Sequence, residues 1–255
     1  MDEDDARLVA VAAEIRDAES VVAMTGAGVS TASGIPDFRS PDGIWSEYDP
    51  NDFHISRFRA DPEGFWRERV ALIGDLFGDG IEPNDAHDAL AALESNGYLD
   101  ALITQNVDGL HRRAGSDDPI QLHGDGQRAV CTGCGRRIGI DAVMARVRSG
   151  ETPPACENCG DVLKPDVVLF GERLPRGDLL RAQSAATSAD VFLAIGSSLA
   201  VEPAASLPAY TVDNGGTLCI VNLERTAVSD RAAYDFRADA TEMLPRLVDA
   251  IERDG

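Results

Sequence analysis

Four of the chain's five cysteines fall in one window, as Cys131-x2-Cys134 and Cys156-x2-Cys159 with twenty-one residues between the pairs. No other feature limits the fold so sharply, because two thiol pairs at this spacing suit two tight knuckles closing on one tetrahedral zinc ion. Each pair runs into a glycine, Gly135 or Gly160, which permits the positive-φ turn that wraps backbone around a metal. The window holds no histidine, so the expected set of four sulfurs leaves no coordination position open, and the zinc is expected to be structural. Two other readings stand beside this one: disulfides, which need an oxidising compartment, and unrelated buried thiols. The acidic start, Met1-Asp2-Glu3-Asp4-Asp5, leads into no apolar run of signal length, so a reduced, cytoplasmic setting is expected. Cys219 lies in the run Leu218-Cys219-Ile220-Val221 and reads as a small buried hydrophobe.

A chain of 255 residues suits one large domain with small insertions better than two equal domains, and no segment approaches membrane-spanning length. Its formal charge is -21, built from 29 Asp against 15 Glu, and Lys164 is its one lysine. That balance repels nucleic acid and argues against a nucleic-acid-binding zinc ribbon, despite Arg128, Arg136, Arg137, Arg146 and Arg148 in the window. It also implies self-repulsion in dilute buffer, so a halophilic protein that needs high salt is expected.

Apolar, β-branched runs place strands over 21–24, 101–104, 167–170, 191–195, 218–222 and 234–237. Helical periodicity places helices over 5–18, from Asn84 as N-cap to Asn96-Gly97, over 178–188 and over 241–251. The alternation implies an α/β fold with a doubly wound parallel sheet. It is interrupted twice: residues 40–83 read as a helical or lid-like insertion and 124–164 as the zinc-ribbon insertion. Residues 1–39, 84–123 and 165–255 are left for the main domain.

The first strand is followed by Gly26-Ala27-Gly28-Val29-Ser30-Thr31, small residues that let backbone amides approach a pyrophosphate, although such a loop also marks ordinary tight turns. Beyond it, Asp37-Phe38-Arg39 supplies an aromatic to cover a ring and a guanidinium to pair with phosphate. Gln105-Asn106-Val107-Asp108, Gly196-Ser197-Ser198 and Asn222-Leu223-Glu224 each follow a strand, at the end where open α/β sheets bind ligands. Together they mark a nucleotide crevice, but the third glycine of a dehydrogenase fingerprint falls late and its ribose-binding acid is missing. His123, before Gly124 and beside the start of the ribbon, is the one histidine whose context suits a neutral base, beside the other reading of a lone histidine as a hydrogen-bonded core residue. His54, His87 and His111 read as structural or exposed.

These motifs occur in one order, with Gly34-Ile35-Pro36 after the first loop and Phe170-Gly171-Glu172 after the ribbon. In that order the chain resembles the sirtuin family of NAD-dependent protein deacylases over about residues 20–240. The resemblance implies a Rossmann-like domain and a small zinc domain flanking a cleft that takes NAD and an acylated lysine of a protein substrate. It implies that Ala27, Thr31, Phe38, Arg39, Gln105, Val107, Asp108, Ser197, Asn222 and Asp239 contact the dinucleotide. Val168 and Phe170 would line the acyl-lysine channel, with the peptide pairing as a strand between the loops after Glu172 and Ser198. The implied reaction joins the acyl oxygen to C1' of the ribose as nicotinamide departs, with Asn106 and Asp108 holding the cleaving geometry. His123 is implied to deprotonate a ribose hydroxyl, and the released products are nicotinamide, lysine and O-acyl-ADP-ribose.

Two positions depart from the family pattern. Asp125 stands where Asn often follows His-Gly, which adds acidity near the cleft entrance. Trp66 and Arg69 are the nearest match to a Tyr and an Arg three residues apart that accompany removal of acidic acyl groups, so simple deacetylation is the expectation. The rival activities are protein mono-ADP-ribosylation from the same cleft, a dehydrogenase, and the noncatalytic zinc ribbon.

Overall fold

The structure is a computed structural model that describes residues 3–76 and 80–253; Met1 and Asp2 of the acidic start and 77–79 of the 40–83 insertion lie outside the described residues. The chain opens with α1 (Glu3–Asp17), β1 (Val21–Thr25), α2 (Ile44–Glu47), α3 (Ile55–Ala60), α4 (Pro62–Leu76), α5 (Asp85–Ser95) and β2 (Ala101–Thr104). It continues through α6 (Leu110–Ala114), β3 (Ile120–Gln121), β4 (Gly124–Cys131), β5 (Arg137–Gly139), α7 (Ile140–Arg148) and β6 (Leu163–Val167). Last come α8 (Arg176–Ser188), β7 (Val191–Ile195), α9 (Leu207–Asp213), β8 (Thr217–Val221), β9 (Tyr234–Phe236) and α10 (Ala240–Arg253).

The main sheet runs β3-β2-β1-β7-β8-β9 with every neighbouring pair parallel. β1 and β7 are buried along their whole length, as strands covered by helices on both faces must be. Alternate residues divide between the two faces: Val21 and Ala23 pack with Leu8, Leu90 and Leu244 from α1, α5 and α10, whereas Val22 and Met24 pack with Ala182 and Leu207 from α8 and α9. Strand order reverses direction between β1 and β7, which is where open α/β sheets leave a crevice. The α5 start follows its sequence signal: the Asn84 side chain accepts from the amides of Ala86 and His87 while the His87 ring accepts from Asn84 N. No helix among the described residues is long and apolar enough to cross a membrane.

One expected strand is placed differently. Residues 167–170 do not join the parallel sheet; Val167 ends β6, which pairs antiparallel with β4 in a second sheet of order β5-β4-β6. The apolar run Val167-Val168-Leu169-Phe170 is instead buried on one side only, with Val167 and Leu169 buried, Val168 half-buried and Phe170 exposed, and beyond Val167 it forms an extended segment outside both ladders. β3, only two residues long, left no readable period. The two insertions share a core: Ile55, Phe58, Phe65 and Trp66 pack with Ala129, Val143, Met144 and Leu163.

Candidate active site

At the switch point the loops after β1 and β7 lock together through their backbones. Gly26 N donates to Ile195 O at 3.0 Å and Gly28 N to Gly196 O at 2.8 Å. A Cβ on Gly28 would lie 2.9 Å from Gly196 O, and one on Gly196, whose φ is +56°, would lie 2.4 Å from Val29 N. These glycines are therefore required first by the approach of two chain segments, besides any approach of phosphate.

Over this junction the 105–109 loop is fixed by its side chains. Gln105 Nε2 donates to Ser197 Oγ at 2.9 Å, and Asn106 Nδ2 donates to Gly26 O and Ser30 Oγ, both at 3.1 Å. Ser30 Oγ donates to Asp108 Oδ2 at 2.8 Å, while Leu110 N donates to Oδ1 at 2.8 Å. Burial pushes the Asp108 carboxyl above the usual range, against the pull of the Leu110 amide and the Ser30 hydroxyl. Val107 O accepts from Gly126 N at 2.9 Å, and Gln127 Nε2 donates to Asp108 O at 2.9 Å.

His123 Nδ1 lies 2.8 Å from the Gln105 carbonyl. A carbonyl only accepts, so Nδ1 carries the proton and Nε2 is the basic nitrogen. Burial lowers the His123 pKa and outweighs the Gln105 carbonyl, which raises it, so the ring is neutral near pH 7. Its main chain is held as well, since His123 O accepts from Val168 N at 2.8 Å.

Beneath the site runs a polar chain that the sequence reading missed. Thr25 Oγ1 donates to Thr104 Oγ1 at 2.9 Å and accepts from His111 Nε2 at 2.8 Å; Thr104 Oγ1 also accepts from Asn106 N at 3.1 Å. The rings of His111 and His87 lie 4.8 Å apart, and His87 Nε2 faces Ser30 Oγ at 3.4 Å. Both rings are buried, which lowers His87 to about 4 and His111 to about 3. Neither lies in a motif; the one sequence signal is the position of His87 three residues after the Asn84 cap.

The other expected residues ring the same edge of the sheet. Ala27 is half-buried and Thr31 and Ser198 are exposed, while Asp37 Oδ1 accepts from Ser40 N at 3.0 Å and shapes the turn beyond Arg39. Arg39 is exposed and has no ion-pair partner among the described residues. Phe38, Phe170 and Leu223 are three of the five large hydrophobics left exposed among the described residues. Trp45 bridges two of them, 5.2 Å from Phe38 and 5.8 Å from Phe170 between ring centroids. Asn222 Nδ2 donates to Glu224 O at 2.8 Å, and Glu224 is itself exposed. Asp239 is engaged as a helix cap, its Oδ1 accepting from Thr241 N at 2.8 Å and from Thr241 Oγ1 at 2.7 Å. Val168 is half-buried beside the main chain of His123.

The four thiols of Cys131, Cys134, Cys156 and Cys159 gather within 4.8 Å of one another. The Sγ separations of 3.4 Å for Cys131–Cys159 and 3.7 Å for Cys134–Cys156 are far too long for disulfides and close to the ~3.8 Å edge of a tetrahedron with Zn–S bonds of ~2.3 Å. Gly135 and Gly160 have φ of +72° and +83°, as the knuckles require. Backbone N–H groups aimed at sulfur favour the thiolate, as where Cys134 N donates to Cys131 Sγ at 3.4 Å. The donor set thus fits zinc. Cys219 is buried, which pushes its thiol up to about 12.

Both departures from the family pattern read differently in three dimensions. Asp125 is only 5 % exposed and pairs with Arg128 at 3.4 Å, so it adds no free acidity at the cleft entrance. Trp66 is fully buried, its Nε1 donating to Leu163 O at 2.8 Å, and it clamps α4 to β6 rather than meeting ligand. Arg69 lines a cavity of about 240 Å³ together with Tyr48, Phe53 and Leu72.

The Sir2 family pattern matches residues 26–203, more than half of the chain and all of the constellation from Gly26 to Ser198. The chain belongs to the Sir2 family. An NAD-dependent protein deacetylase of Haloarcula marismortui is 51% identical over 252 residues, covering 98% of this chain and 96% of that protein. Among solved Sir2 structures, a Sir2–p53 peptide–NAD+ complex aligns with a TM-score of 0.83 at 38% identity, covering 94% of this chain and 96% of that one. A Sir2 protein bound to a propionylated peptide aligns with a TM-score of 0.84 at 36% identity, covering 95% of this chain and 98% of that one. The Sir2 frame accounts for the parallel sheet, the small second sheet and the thiol cluster together.

Proposed function

We propose that the residues gathered at the C-terminal edge of the main sheet carry out NAD-dependent deacylation of protein lysine, with His123 as the base. The chain is an NAD-dependent protein-lysine deacetylase, with NAD as co-substrate and one structural zinc. It releases nicotinamide and O-acyl-ADP-ribose. The observation that carries the site assignment is the His123 ring, neutral and fixed by Gln105 O, beside the Asn106–Ser30–Asp108 hydrogen bonds.

NAD, when bound, supplies a ribose C1' that becomes electrophilic as nicotinamide leaves. The chain's own residues then have distinct tasks. Asn106 and Asp108, already oriented by Gly26, Ser30 and Leu110, hold ribose and nicotinamide without further ordering. His123 Nε2 takes a proton from a ribose hydroxyl, and its Nδ1–H to Gln105 O stabilises the cation that forms. Gly26, Ala27, Gly28, Ser30, Thr31, Asp37, Phe38, Arg39, Gln105, Val107, Gly196, Ser197, Ser198, Asn222, Leu223, Glu224 and Asp239 line or shape the dinucleotide cleft. Val168 and Phe170 flank the acyl-lysine, and Phe38 and Phe170 keep water from the reacting atoms.

We assign residues 1–39, 84–123 and 165–255 to the dinucleotide domain, with 40–83 and 124–164 as insertions over it, except that Pro165, Asp166 and Val167 complete β6 and go with the small sheet. The composition, with a charge of -21 and one lysine, suits a salt-rich cytoplasm. The test is a panel of acyl-lysine peptides with NAD in molar KCl, following nicotinamide release and product mass. Lysine and O-acyl-ADP-ribose are expected, with acetyl peptides preferred; a protein that instead gains ADP-ribose would favour the transferase reading.

A further inference from the structure

Lys164 is the one lysine in a chain whose Lys and Arg total 23, and it is largely withdrawn from solvent. Its Nζ donates to Val167 O at 2.7 Å and to Glu172 Oε2 at 2.8 Å. The pair is the one described ion pair in which both side chains are less than a quarter exposed, at 12% and 24%. Surface pairs contribute little, whereas a pair withdrawn from water and tied to backbone fixes geometry.

The geometry it fixes is that of residues 167–172. Glu172 Oε2 also accepts from Leu169 N at 2.9 Å, and Glu172 N donates to Leu169 O at 3.0 Å. One carboxylate oxygen and one ammonium thus close the segment into a loop. Two other amides of the segment bind neighbouring chain: Val168 N donates to His123 O at 2.8 Å and Phe170 N to Phe53 O at 3.1 Å. The segment joins the small sheet, the 50–55 stretch and the main chain of the base. Leu169 is buried, so the extended backbone turns Val168 and Phe170 to the opposite, open side.

We propose that Lys164, through Glu172, is a positioning residue for the acyl-lysine substrate, holding the segment that presents Val168 and Phe170. The proposal rests on the reading of those two side chains as the flanks of the acyl-lysine site. Lys164 touches neither NAD nor the reacting atoms, so its removal acts on peptide binding and spares the cofactor. Methionine keeps the stem but loses the charge and both donors; arginine restores them.

Lys164→Met is expected to raise KM for an acetyl-lysine peptide about tenfold, the scale of one charge-assisted hydrogen bond. KM for NAD and zinc content should stay near wild type, while the melting temperature falls because the Glu172 carboxylate loses its partner. Lys164→Arg recovers most of the loss, and Glu172→Gln moves peptide KM in the same direction, with the two losses not adding in the double variant. A peptide KM unchanged in a folded Lys164→Met protein overturns the proposal, as does an equal rise in both KM values. Wild-type protein labelled with 15N-lysine gives a single ammonium resonance, which keeps the test independent of variant folding. That resonance should shift on adding acetyl-lysine peptide and stay in place with ADP-ribose alone; no shift under saturating peptide overturns the clamp. The shift reads binding without turnover, so a wild type that binds peptide yet releases no nicotinamide sinks the functional reading and leaves the clamp standing.

Discussion

His123 is subject to two opposing influences, burial that favours the neutral ring and the Gln105 carbonyl that favours the cation, and burial dominates. A base held neutral is ready to accept, so turnover should persist below pH 6.5 before failing as the ring protonates. His123→Ala is expected to lower kcat by about 10²- to 10⁴-fold while NAD binding remains measurable; near-normal turnover would remove His123 from the mechanism. His87 and His111 make a different prediction, about stability. Their folded pKa values, about 4 and about 3, lie below the ~6.5 of an unfolded histidine, so the unfolded chain binds protons that the fold refuses. Stability is therefore full above about pH 6.5 and declines as pH falls towards 4, by on the order of 1–2 kcal/mol per ring between pH 7 and 5. In molar KCl the melting temperature should drop over that interval, and His111→Asn should flatten the slope even if it lowers the starting value; an equal slope in both proteins would refute the linkage. His123 was legible because Gly124 and the thiol window flank it. His87 and His111 were not, because Ser30, Thr25 and each other become their neighbours only through folding.

Among the elements, β4 carries the coupling between metal and chemistry. Its first residue, Gly124, follows His123 and pairs with Val167 of β6, and its last, Cys131, is a thiol of the cluster and pairs with Leu163. The metal site and the base thus stand at opposite ends of one strand, and the ion acts on the chemistry through β4. Gly124, with φ +83°, sits so close to Asp166 O that a Cβ would lie 2.2 Å away, so β4 and β6 cannot drift apart without moving His123. Chelating the zinc is expected to lower deacylation at least tenfold, with recovery when zinc is returned to the refolded protein. Full activity in a metal-free, well-folded preparation would show that β4 holds its place without the ion. The thiol spacing announced this module plainly, since metal ligands impose local sequence rules. The placement of 167–170 was not readable, because a short apolar run such as Val167-Val168-Leu169-Phe170 looks alike whether it pairs in a parallel sheet, as expected, or runs on from an antiparallel strand, as here.

For the molecule as a whole, the alternation of buried strands and amphipathic helices made the doubly wound sheet readable, because strands covered on both faces leave continuous apolar runs such as Val191–Ile195. That the two insertions share one core was not readable, since Trp66 and Leu163 are 97 positions apart and only the fold brings the indole N–H to the Leu163 carbonyl. Over this fold lies a charge of -21. Many of its arginines are matched to neighbouring acids on the surface, as in Arg181 with Asp118 at 2.5 Å and Arg246 with Asp5 at 2.6 Å, while Asp and Glu outnumber Lys and Arg by 44 to 23. At ~0.1 M salt the screening length is about 10 Å, so neighbouring carboxylates still repel across the surface; at ~1 M it is about 3 Å and they do not. Raising KCl from 0.1 to 2 M should therefore raise the melting temperature by about 5 °C or more, a gain of roughly 2 kcal/mol for a chain of this size. Sucrose separates the causes, because it strengthens apolar burial without screening charge, and it should reproduce only part of the rise. Removing charge should do in dilute buffer what salt does: Asp42→Asn with Asp117→Asn, both at exposed positions, is expected to raise the melting temperature at 0.1 M KCl and to shrink the further gain at 2 M. A melting temperature indifferent to KCl in the unaltered protein would mean that the acidic surface is not what sets its stability.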